Sequence, residues 1–149
     1  MQVESSGASG CVFCRIVSGE LESSRVAESP TVLAIMDIDP VTTGHVLVLP
    51  KAHLPALADL SDDLASEMLA VARRIAAGLR RSALRCEGVN LFYADGEAAF
   101  QEVFHSHLHV FPRWVGDGFT IGARWGSSPG RASLDAAARA ITDAMTRAG

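Results

Sequence analysis

The sequence feature that most constrains the fold is a run of alternating histidines, HSHLHVFPR, over residues 105–113. Three of the chain's five histidines, at positions 105, 107 and 109, lie within it. Because side chains alternate between the two faces of a β-strand, a strand here would place all three imidazoles on one face and turn Leu108 and Val110 toward a core. Such a row suits nucleophilic or proton-transfer chemistry near neutral pH, or metal binding.

The composition is typical of one globular domain. The chain has 149 residues, of which 48% are hydrophobic and 20% are charged. A net charge of −4 disfavours a nucleic-acid partner, which requires a basic face. No apolar run reaches the roughly 18 residues of a membrane-spanning helix, so no membrane partner is expected. Three cysteines do not make a disulfide framework, and we expect a cytoplasmic protein.

Residues 1–10 are rich in glycine and serine and lack the basic start and apolar stretch of a signal peptide, so a disordered tail is expected there. Residues 11–149 are expected to form a single domain. Its predicted elements are a short helical turn over 11–19, strands over 26–28, 32–38, 44–50, 89–93 and 103–111, a long helix over 61–85 and a C-terminal helix over 133–148. Many strands with hairpin-like connections indicate an α+β domain, with an antiparallel sheet and helices on one side. Pro112 is expected to end the histidine strand or to mark an edge.

Three interpretations of the histidines remain open at this level. A neutral imidazole is a good nucleophile toward phosphorus when a hydrogen bond fixes its tautomer. A zinc tripod and buried structural histidines are the alternatives, but three positions along a strand converge poorly on one ion. The pair Cys11 and Cys14 forms a C-x-x-C motif that could hold zinc with two more ligands, for which histidine is the available residue type.

Residues 105–111 resemble the His-φ-His-φ-His-φ-φ signature of the histidine triad (HIT) superfamily, in which φ is apolar and Ser106 occupies one apolar slot. The resemblance extends over residues 11–113 through CVFCRIVSGE, MDIDP, GHVLVLPKAH and DGEAAFQEVFH, and it leaves 114–149 as a C-terminal extension. It implies a five-stranded antiparallel sheet with two main helices, here followed by a C-terminal helix, and a homodimer.

The resemblance also implies an activity. A HIT hydrolase would cleave a nucleotidyl phosphoramidate or a dinucleoside polyphosphate at the α-phosphorus through a nucleotidyl-histidine intermediate and release a nucleoside monophosphate. His107 matches the nucleophile, His109 a phosphate-contacting proton donor, and His45 a supporting histidine. In the family the purine base lies among apolar positions that match Phe13, Ile16 and Leu47. The acid that holds the ribose matches Asp37, and the loop on the phosphate side matches Gln101 and Val103. In relatives with the cysteine pair a structural zinc is bound at positions matching Cys11, Cys14, His53 and His105.

Three positions depart from the family pattern and bear on the substrate. Ala94 stands where relatives carry an amide residue, Phe100 replaces a small glycine, and Glu102 replaces serine or threonine. A carboxylate near phosphates predicts better processing of phosphoramidates than of long polyphosphates, unless Glu102 faces away from the site on a regular strand. Two other functions remain as alternatives: a nucleotidyltransferase of the galactose-1-phosphate uridylyltransferase type, disfavoured by His109 in place of glutamine, and a non-catalytic nucleotide-binding protein.

Overall fold

The computed structural model describes residues 8–148. Its chain divides into two compact units, with the boundary between Phe119 and Thr120. The first unit contains one five-stranded sheet in the order β1-β2-β3-β5-β4, in which every neighbouring pair is antiparallel. Its strands are β1 (Arg25–Glu28), β2 (Val32–Met36), β3 (Val46–Pro50), β4 (Gly88–Tyr93) and β5 (Leu108–Arg113), and its helices are α1 (Val12–Val17) and α2 (Asp62–Arg81). This confirms the predicted α+β class and five-stranded sheet.

Helix α2 forms where the sequence supplies both a cap and an apolar stripe. The Ser61 side chain accepts a hydrogen bond from the backbone N–H of Leu64 at 3.2 Å, acidic residues occupy the first turn and arginines the last. The buried stripe consists of Met68, Val71, Ala72, Ile75 and Leu79. These side chains pack on one face of the sheet, together with Val46, Val48 and Val110.

The opposite face of the sheet is covered by α1, so the expectation of helices on one side only is wrong. Phe13 of α1 and the preceding Cys11 form a second core cluster with Leu33, Ile35, Leu47 and Leu49. Alternate residues of the central strand β3 thus belong to different clusters, and all five of its residues are buried. The face that carries α1 is the face that holds the candidate site.

The predicted strand over 103–111 is wrong at its start, because β5 begins only at Leu108. The preceding chain is bonded elsewhere: the N–H of Ser106 donates to the carbonyl of Leu54 at 2.8 Å, outside any strand ladder. Pro112 neither ends β5 nor marks an edge, since it lies inside this interior strand opposite Val89 of β4. The last residue pair with β3 involves Val110, so the N–H that proline lacks is not required on that side.

The second unit contains helix α3 (Arg131–Arg147), close to the predicted 133–148. Its predicted apolar residues Leu134, Ala138, Ile141 and Met145 are exposed. Of the tail expected over 1–10, residues 1–7 lie outside the described residues and Ala8–Gly10 form a short 3-10 turn. The division of residues 11–149 into one domain stays a prediction. Within residues 8–148 no helix combines the length and apolarity needed to span a membrane.

Candidate active site and metal site

A cavity of about 740 Å³ opens on the α1 face of the sheet. Strands β2, β3 and β5, helix α1 and the loop before the histidines contribute to its wall. Most residues predicted for catalysis and nucleotide binding line it: Phe13, Ile16, Asp37, His45, Leu47, Val103, His107 and His109. The exception is Gln101, and His105 points to a separate cluster described below. The three histidines of the motif therefore do not form one row.

His107 has one defined tautomer. Its Nδ1 lies 2.7 Å from the backbone carbonyl oxygen of His105, which can only accept a hydrogen bond. The ring proton is therefore on Nδ1 and the lone pair is on Nε2. The side chain is 7% exposed, and burial lowers the pKa of His107 although the hydrogen bond to His105 opposes this effect. A neutral imidazole with a free Nε2 is the nucleophilic form.

A second hydrogen-bond chain fixes His45 and His109. The N–H of Val41 donates to Nδ1 of His45 at 3.1 Å, so the proton of His45 is on Nε2. That Nε2–H donates to Nδ1 of His109 at 2.9 Å, which leaves the proton of neutral His109 on its own Nε2. Burial, and then the neighbouring His107 and His45, lower the pKa of His109 to about 4. Burial also lowers the pKa of His45.

Asp37 completes this group, with its Oδ2 3.5 Å from Nε2 of His45. The potential ligand atoms of Asp37, His45 and His109 lie within 4.8 Å of one another, a spacing compatible with a metal. However, the Val41 N–H requires His45 Nδ1 to be unprotonated, and a histidine that binds a metal through Nε2 usually carries its proton on Nδ1. We therefore interpret the group as a proton-bearing network and not as a metal site.

The four predicted zinc ligands come together in a separate cluster. Potential ligand atoms of Cys11, Cys14, His53 and His105 all lie within 4.8 Å of one another. The sulfur of Cys14 is 3.3 Å from Nδ1 of His53, and the sulfur of Cys11 is 3.5 Å from Nδ1 of His105. In a tetrahedral zinc site sulfur and nitrogen ligands lie about 3.5 Å apart. Without an ion, burial and the neighbouring Cys11 raise the pKa of the Cys14 thiol to about 11.

His105 connects this cluster to the cavity. Its Nε2 donates to the carbonyl oxygen of Pro50 at 2.7 Å, so its unprotonated Nδ1 faces the cysteines. Its backbone carbonyl accepts the Nδ1–H of His107. The residue is fully buried. A donor set of two sulfurs and two imidazole nitrogens, with one imidazole already oriented by an outer hydrogen bond, fits zinc.

Gln101 supports a loop of the cavity wall but does not line the cavity itself. Its Oε1 accepts the N–H of Gly96 at 2.8 Å, and its Nε2 donates to the carbonyls of Pro55 at 2.8 Å and Val103 at 3.2 Å. The side chain is buried. Its contacts are those of a residue that holds the loop over 96–103 in place.

The three departures from the family pattern occupy different environments. Ala94 is buried and does not line the cavity. Phe100 is 80% exposed, has a left-handed backbone with φ of 71° and lines the cavity. Glu102 lines the cavity as well. The alternation that would turn Glu102 away does not apply, because residues 102–107 are not a strand.

Sequence reasoning missed several groups at the site. The backbone N–H of Val41 carries no sequence signal, since any residue except proline supplies one. Phe92 lines the cavity and packs 5.9 Å from the His109 ring, because it lies opposite that residue in the β4–β5 pair. The correct pairing of the two strands could have identified it. Glu22 and Asp39, also in the cavity wall, lie in irregular chain where periodicity gives no indication.

Comparisons with known proteins show which family this chain belongs to. The HIT domain matches residues 18–115. Protein hit of Bacillus subtilis is 41% identical over 119 residues, 79% of this chain and 80% of that protein. Adenosine 5'-monophosphoramidase hnt1 of Schizosaccharomyces pombe is 33% identical over 119 residues, 80% of this chain and 85% of that protein. The crystal structure of a zinc-bound histidine triad family protein from Mycobacterium smegmatis aligns with a TM-score of 0.73 at 41% identity, covering 96% of this chain and 100% of that one. This chain belongs to the HIT family.

Proposed function

We propose that this protein is a nucleotide hydrolase that cleaves a nucleotidyl phosphoramidate or dinucleoside polyphosphate at the α-phosphorus and releases a nucleoside monophosphate. The observation that carries the proposal is the free Nε2 of His107 in the cavity, held by the bond from Nδ1 to the His105 carbonyl. The similarity to an adenosine 5'-monophosphoramidase supports a purine nucleotide as substrate and a phosphoramidate as the first compound to test.

In the first step the lone pair of His107 Nε2 attacks phosphorus, and the bond to the leaving group breaks. The leaving group departs with that electron pair and takes up one proton. His109, whose ring centroid lies 4.9 Å from that of His107, is placed to supply this proton. A bound phosphoryl anion would raise the pKa of His109 and favour its protonated form. Water then attacks phosphorus, gives a proton back to His109, and the Nε2–P electron pair returns to His107.

The walls of the cavity suit the rest of a nucleotide. Phe13, Ile16 and Leu47 offer an apolar surface for the base, and the Phe13 ring lies 5.1 Å from that of His107. The Asp37 carboxylate can accept hydrogen bonds from ribose hydroxyls. Val103 and the loop held by Gln101 lie on the phosphate side in this arrangement.

We propose one structural zinc ion bound by Cys11, Cys14, His53 and His105. The compact S₂N₂ cluster and the similarity to a zinc-bound family member support it. When bound, the ion would cross-link the start of α1 to the segments that follow β3 and precede β5, and it would supply no chemistry at phosphorus. The cysteines are all free of disulfides, which suits the reducing cytoplasm proposed for this protein. A homodimer is proposed as well.

The test is to incubate purified protein with adenosine 5'-phosphoramidate and, separately, with diadenosine tetraphosphate, and to measure AMP. We expect AMP from wild type and none above background from His107→Ala, which should still bind AMP. Turnover by His107→Ala, or an acid-labile adduct on another residue, would refute the role of His107. AMP that forms only with an added acceptor would indicate a transferase, and binding without turnover a non-catalytic protein.

A further inference from the structure

The charge distribution of the cavity is unusual for a phosphate site. Four carboxylate residues line it: Glu22, Asp37, Asp39 and Glu102. Among residues 8–148, no lysine or arginine belongs to the cavity wall. The three histidines in the wall are imidazoles and not permanent cations. The wall therefore carries fixed negative charge without a fixed cation to balance it.

This distribution disfavours a substrate with several phosphates and favours one that brings its own positive charge. The phosphoramidate group of a substituted nucleoside phosphoramidate carries one negative charge. A polyphosphate carries a further negative charge for each additional phosphate. Charges of the same sign repel more strongly as water is excluded from a cavity. A cation on the leaving group reverses the sign of this interaction with the wall.

Glu102 and Phe100 are placed to contact such a leaving group. Both belong to the loop that immediately precedes the histidine segment, and both reach the cavity. Asp37 is engaged by the N–H of Asp39 at 2.8 Å and lies beside His45. Phe100 is an 80% exposed aromatic side chain in the left-handed region at φ of 71°. An exposed aromatic face beside a carboxylate is a favourable surface for an ammonium group on an apolar stem.

We propose that Glu102, with Phe100 beside it, is a specificity-determining residue that selects phosphoramidates whose leaving amine carries a second, cationic ammonium group. The proposal rests on the proposed function, because it assumes that the cavity binds a phosphoramidate. The cleaved bond is the P–N bond: its electron pair and one proton go to the departing nitrogen, and His107 Nε2 forms the new bond to phosphorus. The distant ammonium of the amine takes no part in this step and contributes only to binding.

The experiment compares two matched substrates, the adenosine 5'-phosphoramidates of 1,6-diaminohexane and of heptylamine. The two leaving amines differ by an ammonium in place of a terminal methyl group. We expect wild type to favour the diamine compound in kcat/KM by about fivefold, as for a partly enclosed ion pair. Glu102→Gln should reduce this preference to near one, and added salt should weaken it in wild type. Phe100→Gly, which retains the positive φ, should reduce it in part.

The matched control is Glu97→Gln, an equal change of charge in the same loop at an exposed residue outside the cavity wall, which should retain the preference. Equal kcat/KM values for the two substrates in wild type, or a preference that survives Glu102→Gln, would overturn the proposal. Calorimetric Kd values for both compounds distinguish a failure of the proposed selectivity from a failure of the proposed hydrolase function. If neither compound is hydrolysed but wild type binds the diamine compound more tightly and Glu102→Gln does not, the selectivity stands and the hydrolase fails. Equal Kd values there would overturn the selectivity.

Discussion

At the scale of single residues, the chemistry of the site depends on which ring nitrogen of each histidine holds the proton. Two backbone groups decide this: the His105 carbonyl for His107 and the Val41 N–H for His45. The sequence predicted His45, His107 and His109 as site residues, and all three line the cavity. It could not predict their tautomers, because a backbone group at a given distance in space has no residue-type signature.

The proton chain through His45 leads to a prediction about side-chain chemistry. His45→Leu removes the donor to His109 Nδ1 and leaves the Val41 N–H without its acceptor, so kcat should fall about 10²-fold. His45→Gln keeps both an acceptor and a donor and should recover a substantial part of kcat. Steady-state kinetics with adenosine phosphoramidate provides the measurement. Equal loss in the two variants would show that His45 acts by packing alone.

The lowered pKa values predict the pH dependence. As the proposed nucleophile, His107 must be neutral to attack, and burial lowers its pKa below the ordinary 6.5. In the substrate complex, where the bound phosphoryl anion keeps His109 protonated, we expect kcat to stay level as the pH falls to about 6.5 and to decline only below that, as His107 becomes protonated. The free energy of unfolding should decrease in the same direction of pH. Histidines of the unfolded chain bind protons at higher pH than the buried histidines do, so the free energy of unfolding should fall as the pH drops below 6.5. An acidic limb of the rate profile centred above 6.5 would contradict this.

At the scale of elements, the sequence predicted those whose patterns are local. The apolar stripe of α2 and its cap at Ser61 are both contained within one stretch of chain, and they fix its start correctly. The start of β5 was missed because it depends on partners far along the chain: Leu108 is the first residue that pairs with both β3 and β4, whereas Ser106 bonds to Leu54. The alternating pattern of the sequence extends over residues 103–107, which have no neighbouring strand in the structure, so the pattern does not mark where β5 begins.

A pair of glycine substitutions tests the packing between α2 and the turn before β3. Gly44 has φ of 108°, and an added Cβ would lie 3.1–3.2 Å from Pro112, Leu79 and Leu84. Gly44→Ala should therefore destabilise the fold by about 1–3 kcal/mol through strain and overpacking. Gly78→Ala, in α2 with nothing within 4 Å of the added atom, should stabilise it by up to about 1 kcal/mol. Denaturant unfolding gives both values, and a neutral Gly44→Ala would show that this turn can relax.

The proposed zinc site predicts how α1 responds when one of its ligands is removed. A helix of six residues is marginal by itself, and its buried Phe13 shares a core cluster with Cys11. Metal analysis of protein purified without chelator should give close to one zinc per chain. Cys14→Ser should lose most of it, lower Tm by about 5 °C or more and increase hydrogen exchange in α1 more than in α2. Cys86→Ser is the control, since that cysteine lies outside the cluster. Full zinc occupancy in Cys14→Ser would contradict the assigned ligands.

At the scale of the whole molecule, the two edges of the sheet differ in how well they are protected. Edge strand β1 is four residues long, carries Arg25 and Glu28, and has an irregular register opposite β2. These features discourage pairing with another chain. Edge strand β4 has six residues, GVNLFY, with no charged side chain, and Leu91 and Phe92 are 45% and 42% exposed. An uncharged, partly apolar edge is a template for a second copy.

We therefore expect a homodimer that pairs through β4 and the neighbouring surface of α2, where Leu69 is also exposed. Light scattering at micromolar concentration should give twice the 15.7 kDa chain mass for wild type. Leu91→Lys should shift the protein to monomer, because a charge at the centre of an apolar interface loses its hydration. Val26→Lys is the matched control, since Val26 is 46% exposed on the protected edge β1. Circular dichroism and Tm would confirm that both variants fold. A monomeric wild type, or a dimer that persists in Leu91→Lys and dissociates in Val26→Lys, would show that β4 is not the paired edge.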